Sequence, residues 1–359
     1  MKRIALFLII TTLFFSCSLK EKSDFEKHFF DKTLRINIIH TGNDSVESFK
    51  ADKIYDDGLW YGKINTLKNP YRLGDYYYEL IDVATNEIIY SEGISRVFNE
   101  WRKSQEATKE KQSFNETIRI PYPQKDARLV LYSFDSLNVM HQVWEYAIDR
   151  RVRSFVMPTP NHNNRIIRIL DSGDPKEKVD IVILGDGYTD KEAKKFDADV
   201  NVFCNKLFST EPYMSRKSDF NIHAIQVISP ESGVADPSTG FNPDNILKTG
   251  YFCFGHDRYA LTCDEWAFRE YATQSPYDFA VILLNSDKTG GSSFYNLYLT
   301  AAINSQSIDY VINHALGHLI SGFVDTYYSD EENGIVADSC LSTVEFNEAI
   351  NSILDLYIK

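Results

Sequence analysis

Hydrophobic and polar residues alternate along much of the first half of the chain. Alternation with a period of two indicates strands that bury one face and expose the other. We therefore predict an antiparallel β-sandwich over residues 33–156. A charged stretch at 99–116 interrupts the pattern and is either a loop or a short helix. The alternating stretches are "LRINIIH", "YYYELIDVATNEIIYSEGIS" with its turn at Ala84–Glu87, "ETIRIPYP" and "ARLVLYSFDS".

The pattern changes after "MPTPNHNN", residues 157–164, a polar segment with two prolines that predicts a linker. "KVDIVILG" is a continuous apolar run, which is typical of a strand buried on both faces. "FNIHAIQVIS" and "DFAVILLN" predict two more strands. Two helices lie between them, with capping boxes at Thr189/Glu192 and at Thr262/Glu265. The sequence thus predicts an α+β, two-domain chain, with a second domain of α/β pattern over residues 161–359.

Length and charge narrow the function classes. A chain of 359 residues is long enough for two hydrophobic cores. The formal net charge of −13 repels phosphate backbones, so we expect no nucleic-acid partner.

The first 17 residues resemble an export signal. Lys2 and Arg3 precede an apolar run from Ile4 to Phe15, which is too short for a membrane span of about 20 residues. Ser16-Cys17 then resembles a bacterial lipoprotein cleavage site, so residues 1–17 are a lipoprotein signal peptide with Cys17 acylated, and 18–32 form a polar tether. An ordinary signal peptide cut near Ser16 is the alternative. We expect an exported protein, periplasmic or at the cell surface, that touches membranes only through this anchor.

The other four cysteines are Cys204, Cys253, Cys263 and Cys340. In an oxidising compartment Cys253 and Cys263 are close enough in sequence to form a disulfide around a short loop. Four buried free thiols are the alternative. No set of cysteines has zinc-ribbon spacing.

"INHALGHLISGFVDTYY", residues 312–328, carries the candidate chemistry. His314 and His318 are four apart, so on a helix both imidazoles can reach one metal ion. Gly322 can end that helix in a left-handed conformation and return Asp325 as a third ligand. The alternative is that the histidines only pack, because a lone H-x-x-x-H is weak as a motif.

This stretch resembles the zinc helix of the IgA-cleaving metallopeptidase family of gut bacteria, H-E-x-G-H-x-x-x-G-L-A-D-E-Y. Ala315 stands at the glutamate position, and Thr326 replaces an acidic residue. "VDIVILGDGYTDKE", "SPESGVADP" and "LLNSDKTGGSSFYN" are also similar to family blocks, as is the β-rich N-terminal part, from about Leu34 to Tyr328 overall. The residues that match the zinc helix are His314, Gly317, His318, Gly322, Asp325 and Tyr327.

The resemblance implies a zincin-like peptidase domain over 161–359, shortened at the C-terminus, with zinc as cofactor and a protein or glycoprotein substrate. Alanine at 315 cannot carry the proton that the glutamate transfers, which implies weak or absent peptide hydrolysis. Three outcomes stay open: zinc binding without catalysis, no metal, or an active enzyme with Glu331 or Glu332 as substitute base. Tyr327 either supports an oxyanion or packs. A surface peptide- or glycoprotein-binding protein is the alternative function.

Overall fold

The computed structural model describes residues 22–257, 259–303, 308–323, 327–330, 334–337 and 343–358. The predicted signal segment with Cys17, and also Asp325, Thr326, Glu331, Glu332 and Cys340, lie outside the described residues.

No helix within these described ranges is long and apolar enough to cross a membrane.

The N-terminal half is β-rich, as the alternation predicts. One four-stranded sheet has the order β5-β1-β2-β8 and the other has the order β4-β3-β6-β7. The inward side chains of both sheets belong to one hydrophobic core. The elements are α1 (Asp24–His28), β1 (Phe29–Gly42), β2 (Glu47–Asp56), β3 (Tyr76–Asp82), β4 (Ile88–Ile94), α2 (Val97–Trp101), β5 (Gln112–Pro123), β6 (Ala127–Phe134), β7 (Met140–Ile148), α3 (Arg150–Arg153) and β8 (Met157–Pro158).

Two segments that the sequence assigns to connections are part of this folded half. The tether predicted over 18–32 is too long, because α1 and the start of β1 occupy its second part. Phe25 and Phe29 explain the difference, since both side chains are buried in the core of the sandwich. The predicted linker over 157–164 begins with β8, which pairs in parallel with β2.

The second half is built on a six-stranded mixed sheet of order β15-β16-β14-β10-β11-β9. The four inner strands are mutually parallel, and the edge strands β9 and β15 are antiparallel to their neighbours. The elements are β9 (Ile166–Leu170), β10 (Val179–Asp186), α4 (Ala193–Leu207), β11 (Phe220–Ile225), β12 (Thr249–Gly250), β13 (Leu261–Thr262), α5 (Glu265–Ala272), β14 (Phe279–Leu284), β15 (Gly291–Phe294), β16 (Tyr298–Ala302), α6 (Ile308–Ser321), β17 (Tyr327–Asp330), β18 (Gly334–Ala337) and α7 (Thr343–Tyr357), with single 3₁₀ turns at Asp190–Glu192, Lys217–Asp219 and Cys253–Gly255.

The central strand β10 is buried along its whole length, as its apolar run predicts. Ile181 and Ile183 face a core that includes side chains of α4, α6 and α7. Val182 and Leu184 face the opposite way and belong to the same core as the N-terminal sandwich. The two predicted domains are therefore joined by continuous hydrophobic packing.

One of the two predicted helix caps is confirmed. Thr189 and Glu192 form a reciprocal capping box at the start of the 3₁₀ turn that leads into α4. The cap of α5 is Asp264 instead of Thr262, because the Asp264 carboxylate accepts a hydrogen bond from the Ala267 amide. Glu265 is not a capping partner, since its carboxylate turns toward the sandwich and binds groups there.

Candidate functional site

Helix α6 carries the two histidines on its less buried side. Its apolar face packs into the second core through four fully buried side chains. His314 and His318 are half-buried. At 100° per residue, positions 314 and 318 lie on the side away from that apolar face. The amphipathic pattern therefore orients the imidazoles away from the sheet, and the anchoring residues are Ile312, Leu316, Leu319 and Ile320.

The two imidazoles converge on one point. Their Nε2 atoms are 3.0 Å apart, and the rings meet edge to face at 82°. Two nitrogen ligands at about 2.0–2.1 Å from a tetrahedral zinc ion are separated by about 3.3 Å. The Nε2 spacing therefore matches two ligands of one metal ion to within a few tenths of an ångström.

A second contact fixes the tautomer of His318. Its Nδ1 donates a hydrogen bond to the carbonyl oxygen of Phe323. A carbonyl only accepts, so Nδ1 carries the proton of the neutral ring and the Nε2 lone pair points at His314. Metal-binding histidines have the same arrangement, with the second ring nitrogen on a carbonyl or carboxylate. The residues present thus fit a zinc ion at Nε2.

The helix ends where the sequence predicts it to end. The last helical residue is Ser321, and Gly322 has φ +62°, in the left-handed region. The Gly322 amide donates to the His318 carbonyl at 3.0 Å. A side chain at Gly322 would also crowd Leu73 and Tyr295. The glycine break is therefore confirmed, and it brings the Phe323 carbonyl back to His318.

Gly317 lies between the histidines, and its lack of a side chain has a packing reason. A Cβ there would come within 3.0 Å of the Phe346 ring and 3.2 Å of the Phe323 ring. The close neighbour is therefore α7, which carries Phe346, together with the segment after α6. The glycine suggests the close approach of a neighbouring strand, but the element that approaches is a helix, because the Phe346 ring of α7 fills the space.

Position 315 has no catalytic carboxylate, and its main chain is held by the edge of the sheet. Ala315 is buried, and its carbonyl accepts a hydrogen bond from Ser293 Oγ at 2.6 Å. Ser293 lies in β15, an edge strand of the six-stranded sheet. In the part of the chain that the structure describes, β15 pairs only with β16, so its outer edge can accept another strand.

The third ligand is not tested, because Asp325 lies outside the described residues. Tyr327 begins β17, and its side chain also lies outside them. Within the described ranges, no group of three histidine, cysteine or acidic side chains is arranged to hold a metal ion. Two histidines alone give a weak site, so a third donor is needed for stable binding.

Asp186, in the conspicuous "LGDGYT", is structural. Its carboxylate is fully buried and accepts from the amides of Leu247 and Thr249 and from the Thr249 hydroxyl, at 2.7–3.1 Å. Burial raises its pKa, although these hydrogen bonds act in the opposite direction. The carboxylate therefore fixes the loop before β12 to the end of β10.

Cys253 follows β12 and Cys263 follows β13, and these two short strands pair with each other in antiparallel fashion. Both are free thiols in the structure. Burial raises the pKa of Cys253 to about 11 and that of Cys263 to about 12, the latter with a contribution from Cys253. Their pairing under oxidising conditions stays a prediction.

The residues that hold α6 in place from outside the helix could not be predicted from the sequence. Ser293 donates a hydrogen bond to the Ala315 carbonyl, 22 residues away in sequence. Asn296 donates one to the Gly93 carbonyl, 203 residues away. No local periodicity encodes such pairs. The only signal was the polar, glycine-rich composition of "GGSSFYN" beside the histidine segment.

Two family profiles match the chain. The IgA Peptidase M64 family matches residues 167–339, and the Peptidase M64 N-terminus matches residues 24–145. A search of curated proteins found no match. The matched ranges cover most of the sandwich, nearly all of the six-stranded sheet and the histidine helix. The chain therefore belongs to the IgA peptidase M64 family of metallopeptidases.

Proposed function

We propose that this chain is an exported lipoprotein with a zincin-like second domain that binds zinc and hydrolyses peptide bonds weakly or not at all. His314, His318 and Asp325 are the proposed ligands. The observation that supports zinc binding is the convergence of the two Nε2 atoms, 3.0 Å apart, on a helix that ends at a left-handed glycine.

The residues of the site have separate roles in this proposal. His314 and His318 bind the metal ion through Nε2, and the Phe323 carbonyl keeps His318 in the required tautomer. A bound zinc ion polarises a peptide carbonyl and acidifies water. β15 holds an extended protein substrate or ligand by main-chain pairing. The methyl group of Ala315 neither takes nor returns a proton, which removes a factor of about 10² to 10⁴ in rate.

The test restores the missing group. Ala315→Glu should raise zinc-dependent hydrolysis of casein or IgA by about 10² or more, if the base is the only defect. Ala315→Gln is the matched control, because it adds nearly the same volume to a buried position without a base. Metal content of all three proteins is measured in parallel by elemental analysis.

The outcomes separate the parts of the proposal. Wild-type protein that holds no zinc after purification in zinc would refute the ligand set. Substantial zinc-dependent proteolysis by the wild type would refute the inactive enzyme. An unchanged rate in Ala315→Glu with zinc bound would place a further defect elsewhere, with Thr326 as the first residue to examine.

A second function follows from the same geometry. A chain that lacks the base but keeps β15 as an edge strand, as in the described part of the sheet, can retain an extended peptide or glycoprotein without cleaving it. Binding of an IgA or mucin fragment to the wild type, with the fragment intact after prolonged incubation, would support this alternative. Cleavage of the bound fragment would contradict it.

A further inference from the structure

The turn between β15 and β16 lies between the N-terminal sandwich and the end of the histidine helix. It consists of Tyr295, Asn296 and Leu297. Both Tyr295 and Asn296 contact the sandwich on one side and α6 on the other. The turn therefore connects the sandwich to the end of the helix that carries the histidine pair.

On the helix side, the Asn296 amide donates to the Leu319 carbonyl at 2.9 Å. Leu319 is in the last turn of α6, where carbonyls lack partners within the helix. The ring of Tyr295 packs against Gly322, 3.2 Å from where a Cβ would stand. The turn therefore satisfies a carbonyl of the last turn of α6, at Leu319, the residue that follows His318.

On the sandwich side, the Asn296 side-chain amide donates to the Gly93 carbonyl at 2.9 Å. The Ser95 amide donates to the Tyr295 carbonyl at 3.0 Å, and Asn69 Nδ2 donates to the Tyr295 hydroxyl at 3.3 Å. Asn296 thus makes one hydrogen bond to each partner. Its φ of +54° is in the left-handed region, which asparagine and glycine tolerate better than most residues.

We propose that Asn296 is a positioning residue through which the N-terminal sandwich sets the position of the last turn of α6 and hence the spacing of His314 and His318. The inference rests on the proposed function only where it predicts an effect on zinc. In this view the sandwich is part of the scaffold of the metal site as well as a surface domain.

Asn296→Gly is the first test variant, because glycine keeps the left-handed backbone and removes only the bond to Gly93. Asn138→Gly is the matched control, since Asn138 has φ +60° in an exposed loop of the sandwich far along the chain from α6. Asn296→Asp is a second variant. Its carboxylate cannot donate and would face the Gly93 carbonyl, so its effect should exceed that of glycine.

Two measurements are made at a temperature where circular dichroism shows every variant folded. Zinc affinity is determined by competition with a chelator. Hydrogen–deuterium exchange is followed in peptides that cover 314–323, with peptides from β6 and β10 as references. The expected result for Asn296→Gly is about tenfold weaker zinc binding and about tenfold faster exchange in 314–323, with unchanged reference peptides.

The outcomes distinguish this inference from the proposed function. Equal zinc affinity and equal exchange in Asn296→Gly and Asn138→Gly would overturn it. Faster exchange spread over all peptides would also overturn it, because that result means general destabilisation. If the wild type binds no zinc but exchange accelerates only in 314–323, the positioning role stands and the zinc proposal fails.

Discussion

Glu265 offers a sharp test of how firmly the two halves are joined. It is the first residue of α5, yet every hydrogen bond that the structure gives its carboxylate comes from the sandwich. Arg96 Nη1 lies 3.1 Å from both carboxylate oxygens, and the Thr117 amide and hydroxyl lie 2.8 and 2.9 Å away. Glu265 and Arg96 are each only 1% exposed. Glu265→Ala removes the carboxylate and leaves the guanidinium buried.

The expected cost follows from this burial. Removing one partner of a buried ion pair costs about 3–5 kcal/mol, because the other charge stays out of water without compensation. Burial raises the pKa of Glu265 in spite of the neighbouring guanidinium. The free-energy cost of removing the carboxylate from water therefore offsets much of its attraction to Arg96 while the pair is intact. Arg96 also donates to the Thr117 carbonyl at 2.8 Å, and its Nε lies 3.6 Å from the buried Glu116 carboxylate. Both partners remain in Glu265→Ala, which favours the lower end of the range. We expect about 3 kcal/mol for Glu265→Ala, a large part of a total stability of about 5–15 kcal/mol.

Urea denaturation followed by tryptophan fluorescence and by circular dichroism measures this loss. Glu270→Gln is the matched control, because Glu270 is on the same helix, is partly exposed and pairs with His162. The control should change the free energy of unfolding by less than about 0.5 kcal/mol. The two probes should give coincident curves in the wild type, since the halves share a core.

A loss below about 1 kcal/mol in Glu265→Ala would refute the reasoning. So would a wild-type transition in which the sandwich and the second half unfold separately.

Three other predictions concern pH, thiols and anchoring. Burial acts to raise the pKa of Glu192, but hydrogen bonds from Thr189, Ser232 and Asn285 outweigh it and lower the pKa to about 2 from 4.5. Because the group is partly exposed and screened by solvent, its ionised form should contribute about 2 kcal/mol to the free energy of unfolding above pH 4.5, and this contribution should disappear as the pH falls toward 2. Urea denaturation should therefore show that the stability difference between the wild type and Glu192→Gln shrinks over this range. Cys253 and Cys263 should pair in an oxidising compartment and stabilise the fold by about 3 kcal/mol, with a linked peptide in an unreduced digest, and free thiols there would contradict the pairing. Cys17→Ser should release the protein from membranes, and a wild type that stays in the aqueous phase of a detergent partition would refute acylation.

The sequence predicted the elements best where a single physical constraint dominates. The apolar run of β10 has one stable solution, a strand buried on both faces. The helix with His314 and His318 and its end at Gly322 follow from spacing and from the backbone freedom of glycine. Such features depend on neighbours in sequence, so a local pattern is sufficient to predict them.

The errors occurred where distant contacts decide. Phe25 and Phe29 lie in a polar stretch that resembles a tether, and only burial in the sandwich shows that they belong to the fold. Glu265 has the spacing of a capping residue, but the buried Arg96 across the interface takes its carboxylate. Local propensity lost to a long-range ion pair in this case, because a buried guanidinium without a partner costs more than a helix cap gains.

The geometry of the site separates the contacts that hold the histidine helix from the identity of the side chain at position 315. The hydrogen bond that the sheet makes to position 315 uses the main-chain carbonyl, through Ser293, and would form with any residue there. The positions that do depend on their side chains are the glycines at 317 and 322, which admit Phe346 and allow the left-handed turn. Under the proposed function, alanine at 315 lacks the proton-transfer group, while the main-chain hydrogen bond and the two glycines still hold His314 and His318 in place.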